Sequence, residues 1–307
     1  MRTVVIGGTG HIGTYLVPQL VDRGHEVTVL SRGERTAYQP DAAWDKVELL
    51  QIDRAAEDAA GTFGERVSGL EPDIVIDLIC FTEDSARQLA EAVTGKVQHF
   101  LHCGTIWVHG PSVTVPTRED APRRPFGDYG IRKAAIEKYL LSKAPALPVT
   151  IIHPGHICGP GWTPINPAGN FDRAVYETLA KGEELQLPNF GLETVNPVHA
   201  EDVASLFTAA IASRSTAVGE SFHAVASDAI TLRGYAEQLA AWYGQEANLT
   251  FHPWDEWAAK HPDTAPATRD HIQHSPNCSM EKAARLLGYR PRYSAFESAL
   301  AGIKALT

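Results

Sequence analysis

Two hydrophobic periods alternate along the chain from its first residues. Val4-Val5-Ile6 is an unbroken apolar run of strand character, and three glycines (Gly7, Gly10, Gly13) follow it. Ile12, Tyr15, Leu16, Leu20 and Val21 then recur at helical spacing. The exchange repeats down the chain. Val27 to Leu30 predicts a second strand, Val47 to Ile52 a third ending at Asp53, and residues 56–70 a helix. Asp73 to Cys80 is apolar nearly throughout, which suits a parallel strand covered on both faces. A helix around Ser85 to Ala90, a fifth strand from Val97 to Cys103, a helix from Asp128 to Ser142 and a sixth strand from Val149 to Ile152 complete the series. Such alternation implies an α/β fold with a doubly wound parallel sheet.

Beyond residue 160 the alternation loosens. Residues 171–181 read as a helix, Val195 to His199 as an extended piece, and Glu201 as the start of another helix. Ser221 to Val225 predicts a strand and Leu232 to Tyr243 a helix, with closing helices at 280–287 and 295–305. His252 to Ser279 carries four prolines, two tryptophans and weak periodicity; it is too long for an idle connection and is expected to cover a cleft. The division that follows is a regularly alternating part at 1–160 and a less regular part at 161–307, with about 195–225 returning to the first.

Composition narrows the function classes. The 307 residues are 44% hydrophobic, enough for a large core. Twenty-seven basic against 37 acidic residues give a charge of −10 with no basic run, which argues against nucleic acid as the main partner. No apolar stretch is long enough to span a membrane, and the chain enters a strand with no signal peptide ahead of it, so a cytoplasmic location is expected. Cys80, Cys103, Cys158 and Cys278 are scattered and read as buried free thiols. The pairs His99/His102, His153/His156 and His271/His274 lack a third ligand, so no metal is expected.

The glycines carry the first chemistry. Between a strand and a helix, Gly7 lets the backbone turn, Gly10 lets it approach a pyrophosphate, and Gly13 lets the helix pack close. The helix N-terminus then faces the anion. About 20 residues on, where an acidic residue would bond the ribose 2′-hydroxyl, stands Ser31-Arg32. A guanidinium and a hydroxyl suit a 2′-phosphate, so NADP is preferred over NAD. Tyr129 and Lys133, four apart on a helix, share a face. The ammonium is expected to lower the phenol's pKa; a move from about 10 toward 7 requires roughly 4 kcal/mol.

These residues resemble the extended short-chain dehydrogenases/reductases, the NAD(P)-dependent sugar epimerase/dehydratase family, over essentially the whole chain. The match comprises Gly7-x-x-Gly10-x-x-Gly13, Asp53, Tyr129-x-x-x-Lys133 and Pro154-Gly155-His156-Ile157-x-Gly159-Pro160. It continues in Val198 to Ala204 and in Lys282-Ala283-x-x-x-Leu287-Gly288-Tyr289-x-Pro291. The resemblance implies hydride transfer between nicotinamide C4 and a carbinol or carbonyl of a sugar or sugar-like small molecule. Tyr129 would be the acid/base, Thr105 would bond the substrate oxygen, and Lys133 would hold the nicotinamide ribose. Thr9, His11, Ile12 and Ile79 join the cofactor contacts, Asp53 would meet the adenine, and Pro154, His156 and Ile157 would lie beside the nicotinamide. The resemblance also implies a dinucleotide-binding (Rossmann) domain at 1–160, a smaller C-terminal substrate-binding part at 161–307 from which about 195–225 returns to the Rossmann domain, and a homodimer through helices near 85–94 and 131–142.

Departures from the family pattern bear on the reaction. Ile106 and Trp107 replace the Asp-Glu pair of sugar-nucleotide dehydratases, which disfavours 4,6-dehydration. Val195 replaces a diphosphate-binding arginine, and only Arg269 offers a second one. Trp107, His156, Trp162 and Asn170 are candidates for the substrate wall. An NADPH-dependent carbonyl reductase is the alternative to an epimerase, and a non-catalytic NADP sensor is disfavoured by the complete Thr105/Tyr129/Lys133 set.

Overall fold

The computed structural model describes residues 1–306 and builds the protein on a parallel sheet of seven strands among them. Six come from the N-terminal alternation: β1 (Arg2–Ile6), β2 (Glu26–Ser31), β3 (Glu48–Gln51), β4 (Ile74–Asp77), β5 (His99–Cys103) and β6 (Val149–Pro154). The seventh, Ser221–Ala224, pairs with β6. Across the sheet the order is Ser221–Ala224, β6, β5, β4, β1, β2, β3, with every pair parallel. The order reverses between β1 and β4, so their carboxyl ends open a crevice. Central β4 and β5 are buried at every position, as their apolar runs require, whereas β3 shows Glu48, Leu49 and Gln51 to solvent at the sheet edge.

Helices cover both faces. On one, α1 (His11–Asp22) packs beside the Ala200–Ala212 helix over Val5, Val29, Ile152 and Phe222. On the other, α3 (Phe63–Gly69), α4 (Glu83–Val93) and α5 (Gly127–Ser142) pack over Val4, Val75, Phe100 and Ile151. A third core, around Tyr235, Trp257 and Ile303, belongs to the later residues. Each large side chain buried there contributes on the order of 2 kcal/mol. No helix among the described residues is long and apolar enough to cross a membrane.

Four details differ from the sequence expectation. The helix expected at 56–70 is two, α2 (Arg54–Ala60) and α3, parted at Gly61 and Thr62. The fourth strand leaves the sheet at Asp77, because that buried carboxylate turns to bind Arg54 through both guanidinium ends, at 2.6 and 3.0 Å. The helix expected from 171 starts at Ala174, because the preceding loop is tied by the Asn166 and Asn170 amides. Finally, 252–279 is not irregular. Leu249–His252 pairs with Leu185–Pro188, and helices Trp254–Lys260 and Ala265–His274 follow. Helices of seven and ten residues are too short to print a strong period on the sequence.

Candidate active site

The crevice at the β1/β4 junction is where the glycine turn lies. Gly7 takes φ +82°, and a Cβ there would fall 2.6 Å from Ile79, the residue that follows β4 across the crevice. A Cβ on Gly13 would fall 2.0 Å from the Gly8 carbonyl oxygen, so only glycine lets α1 dock on the turn. No side chain caps α1, whose N-cap is Gly10 itself. The first-turn N–H groups therefore remain as donors for an anion, and the turn fits a dinucleotide pyrophosphate.

Two connected hollows extend from this turn. One, about 680 Å³, is lined by Gly7, Thr9, Gly10, Ser31, Arg32, Asp53, Arg54, Ile79 and Phe81 among others. It receives the predicted adenosine-side residues. The other, about 260 Å³, is lined by Gly7, Gly10, His11, Ile12, Ile79, Phe81, Thr105, Tyr129, Lys133, Pro154 and Ile157. It brings the three candidate catalytic side chains together with the glycine turn.

Each hollow has a charged residue already engaged. In the larger, Arg32 pairs with Glu34 at 2.8 Å, and both are more than half exposed. Asp53 caps α2 by accepting from the Ala55 and Ala56 N–H groups. Arg54, buried beneath, also donates to Ser85. Burial opposes the Asp77 charge, and the Arg54 fork outweighs it, holding that carboxyl below its usual range. In the smaller hollow, Lys133 is 2% exposed and its Nζ donates to the carbonyls of Cys80 and Cys103, each at 2.8 Å. Those bonds consume two of its three N–H donors and leave one. Burial lowers its pKa.

Tyr129 departs from expectation. It keeps 43% of its surface exposed, yet crowding around it, with Cys103 adding and the Thr105 hydroxyl opposing, pushes the phenol up to about 12. The expected lowering by Lys133 is not found, because the ammonium is anchored on two backbone carbonyls and stands 5.9 Å from the ring centre. Thr105 is the N-cap of a short turn at Ile106–His109, where its hydroxyl accepts from the Trp107 N–H at 3.3 Å.

The substrate candidates separate into groups. Trp107 makes edge contacts with Tyr129, His156 and His271 and stacks on His274 at 4.0 Å. The Ala265–His274 helix thus lies against Trp107, the neighbour of Tyr129. Trp162 instead stacks on His11 at 3.6 Å, over the glycine turn. Asn170 is buried with its amide committed to Asn166, Asp172 and Thr268. Arg269 is exposed and follows Thr268, so at 100° per residue it projects about 160° away from His271. Val195 is fully buried.

Several site residues escaped the sequence reading. Arg54 directly follows Asp53, but nothing in its spacing announces a buried ion pair. Tyr38, which contacts His11 and Trp162 and accepts from Arg35, lies in an unpatterned loop. Glu137 continues the Tyr129/Lys133 interval of four, a signal that was there to be extended. All four cysteines are buried free thiols, and among the described residues no three His, Cys, Asp or Glu side chains are placed to hold a metal ion.

A model of the NAD dependent epimerase/dehydratase family matches residues 3–224. The chain belongs to that family. Among curated relatives of this epimerase/dehydratase-family protein, 2′-dehydrokanamycin reductase from Streptomyces kanamyceticus is 32% identical over 138 residues, which is 45% of this chain and only 37% of that protein. A UDP-glucose 4-epimerase from Mycolicibacterium smegmatis is 26% identical over 97% of this chain and 96% of its own length. The solved UDP-glucose 4-epimerase of Thermotoga maritima, with UDP-glucose, superposes with a TM-score of 0.74 at 20% identity, covering 100% of this chain and 98% of its own. Fold and family agree.

Proposed function

We propose that this family member transfers hydride between a nicotinamide cofactor and a carbinol or carbonyl carbon of a sugar or sugar-like substrate, with Tyr129 as the acid/base. The convergence of Thr105, Tyr129 and Lys133 on the hollow that begins at the glycine turn carries this reading. The cofactor supplies the hydride acceptor or donor when bound. Thr105 orients the substrate oxygen, Tyr129 moves its proton, and the remaining Lys133 donor is available to the nicotinamide ribose. With burial holding the phenol at about 12, Tyr129 carries its proton at neutral pH, which is the form that serves as the acid when a carbonyl is reduced. Ile106, buried, and Trp107, stacked on His274, offer no proton-transfer group beside Thr105, which supports redox chemistry without 4,6-dehydration.

Reduction of a carbonyl with external NADPH is favoured over epimerisation by Ser31, Arg32 and Arg35 around the larger hollow. Glu34 on Arg32 opposes that preference, and Arg32→Ala decides it: NADP affinity should fall well beyond NAD affinity, and equal losses would remove the argument. The reaction itself is tested with C4-deuterated NADPH on a panel of aldehydes and ketones that includes 4-nitrobenzaldehyde, and with NAD⁺ on UDP-galactose. Deuterium in an alcohol product, with stoichiometric cofactor oxidation, marks the reductase. UDP-glucose formed without net oxidation marks the epimerase. Neither label transfer nor epimerisation across a broad carbonyl and sugar panel would contradict the proposal.

A further inference from the structure

His153 is the penultimate residue of β6, is fully buried, and has no part in the chemistry above. Its Nδ1 lies 3.0 Å from the backbone nitrogen of Thr105, and its Nε2 lies 3.3 Å from Glu137 Oε1. A backbone N–H only donates, so Nδ1 presents its lone pair and the ring proton resides on Nε2, from which it is donated to the carboxylate. Glu137 in turn receives Arg123 through Nη2 at 2.7 Å and Nε at 3.2 Å. Burial would raise the Glu137 carboxyl, but His153 and Arg123 outweigh it and hold it below the usual range.

The surroundings are shaped for this ring. A Cβ on Gly104 would fall 2.6 Å from His153 Nδ1, so the strand end is cut back where the imidazole passes. Glu137 lies one helical turn beyond Lys133 and two beyond Tyr129 on α5. One imidazole therefore ties the end of β5, which carries Thr105, to the helix that carries Tyr129 and Lys133. An arginine or lysine at 153 would face the Thr105 N–H donor to donor and could not make this link.

We infer that His153, held by Glu137, is a positioning residue that fixes the Thr105 backbone relative to Tyr129 for the proton-coupled hydride transfer. The inference rests on the proposed roles of Thr105 and Tyr129. It needs no contact between His153 and substrate. Its effect passes through the Thr105 N–H, and displacement of Thr105 by even about 1 Å is enough to lower turnover strongly.

Two measurements on the full chain test it. In deuterated, ¹⁵N-labelled protein, scalar coupling across the hydrogen bond should connect the Thr105 amide nitrogen to His153 Nδ1; no coupling overturns the assignment. In kinetics, Thr105→Ala should lower kcat by about 100-fold and His153→Ala by about tenfold, with cofactor KM moving by less than about twofold. The double variant should fall within about twofold of Thr105→Ala alone, whereas losses that multiply would overturn the positioning role. His153→Asn, whose side-chain oxygen can accept from Thr105, should recover most of the turnover and serves if the alanine variant does not fold. Failure of the underlying reading shows separately, as retained turnover in Tyr129→Phe. If that variant is inactive and the losses still multiply, this inference alone fails.

Discussion

The proposed cofactor side and the proposed substrate side of the cleft are built by different means. On the cofactor side, backbone does most of the work: a positive-φ glycine, an uncapped helix N-terminus and the carbonyls of Cys80 and Cys103 around Lys133. These parts lie at strand ends, whose positions the sheet dictates. On the substrate side, Trp107, His156 and the helical pair His271 and His274 come from three separate segments and meet through ring contacts. The first side is specified by topology, the second by side-chain packing. The difference teaches that a cradle placed by sheet topology can stand opposite a wall placed only by side-chain packing.

The strongest break in this comparison comes from Lys133→Met. Removing the ammonium strands two inward-facing carbonyls and takes away the proposed ribose donor, so kcat should drop at least about 100-fold and cofactor affinity should fall with it. Stopped-flow turnover and fluorescence titration with NADH and NADPH measure both. A variant that loses turnover with full cofactor affinity would show that the lysine serves only the substrate side.

Next in size is Asp77→Ala, which takes the two-pronged partner from buried Arg54, leaving it the longer Asp58 contact and Ser85, and should cost about 3 kcal/mol in urea unfolding. The pair also sets an acid limb. Because the folded Asp77 carboxyl lies below its ordinary 3.8, its stabilisation is present above that value and is lost as pH falls through the lower folded value. Histidines act at higher pH. Burial, with smaller contributions from Lys133 at His102 and Arg123 at His109, lowers both imidazoles to about 3 from 6.5. Their stabilisation is complete above 6.5 and declines as pH falls, by at most about 1.4 kcal/mol per pH unit for each. Urea melts from pH 7.5 to 4.5 should show that slope, and His102→Gln should reduce it.

The smallest expected effect sharpens the contrast most. Trp107→Phe should raise substrate KM by about three- to tenfold and leave cofactor affinity within about twofold, since its partners are Tyr129 and the imidazoles. Equal changes in both constants would mean that the two sides are not independent.

The sequence displayed the cofactor side because glycine spacing and strand-helix alternation are local signals. Gly7 to Gly13, the six sheet strands and the Tyr129/Lys133 interval could all be read without knowing what lies across the cleft. What stayed hidden depends on distant pairing. Arg54 finds Asp77 across 23 positions, and His153 reaches Thr105 across 48. The lowered phenol was expected from the interval alone, but Lys133 chose backbone carbonyls that the interval does not reveal. The sequence groups Trp162 and Asn170 with Trp107 and His156 as candidates for one wall, whereas Trp162 roofs the glycine turn and Asn170 locks a loop.

The most direct test of the central claim is turnover of Tyr129→Phe beside unaltered protein, with cofactor affinity measured on the same samples. Loss of the phenolic oxygen should lower kcat by about 10²–10⁴ while NADH and NADPH affinities stay within about threefold. Turnover equal to that of the unaltered protein would contradict the account.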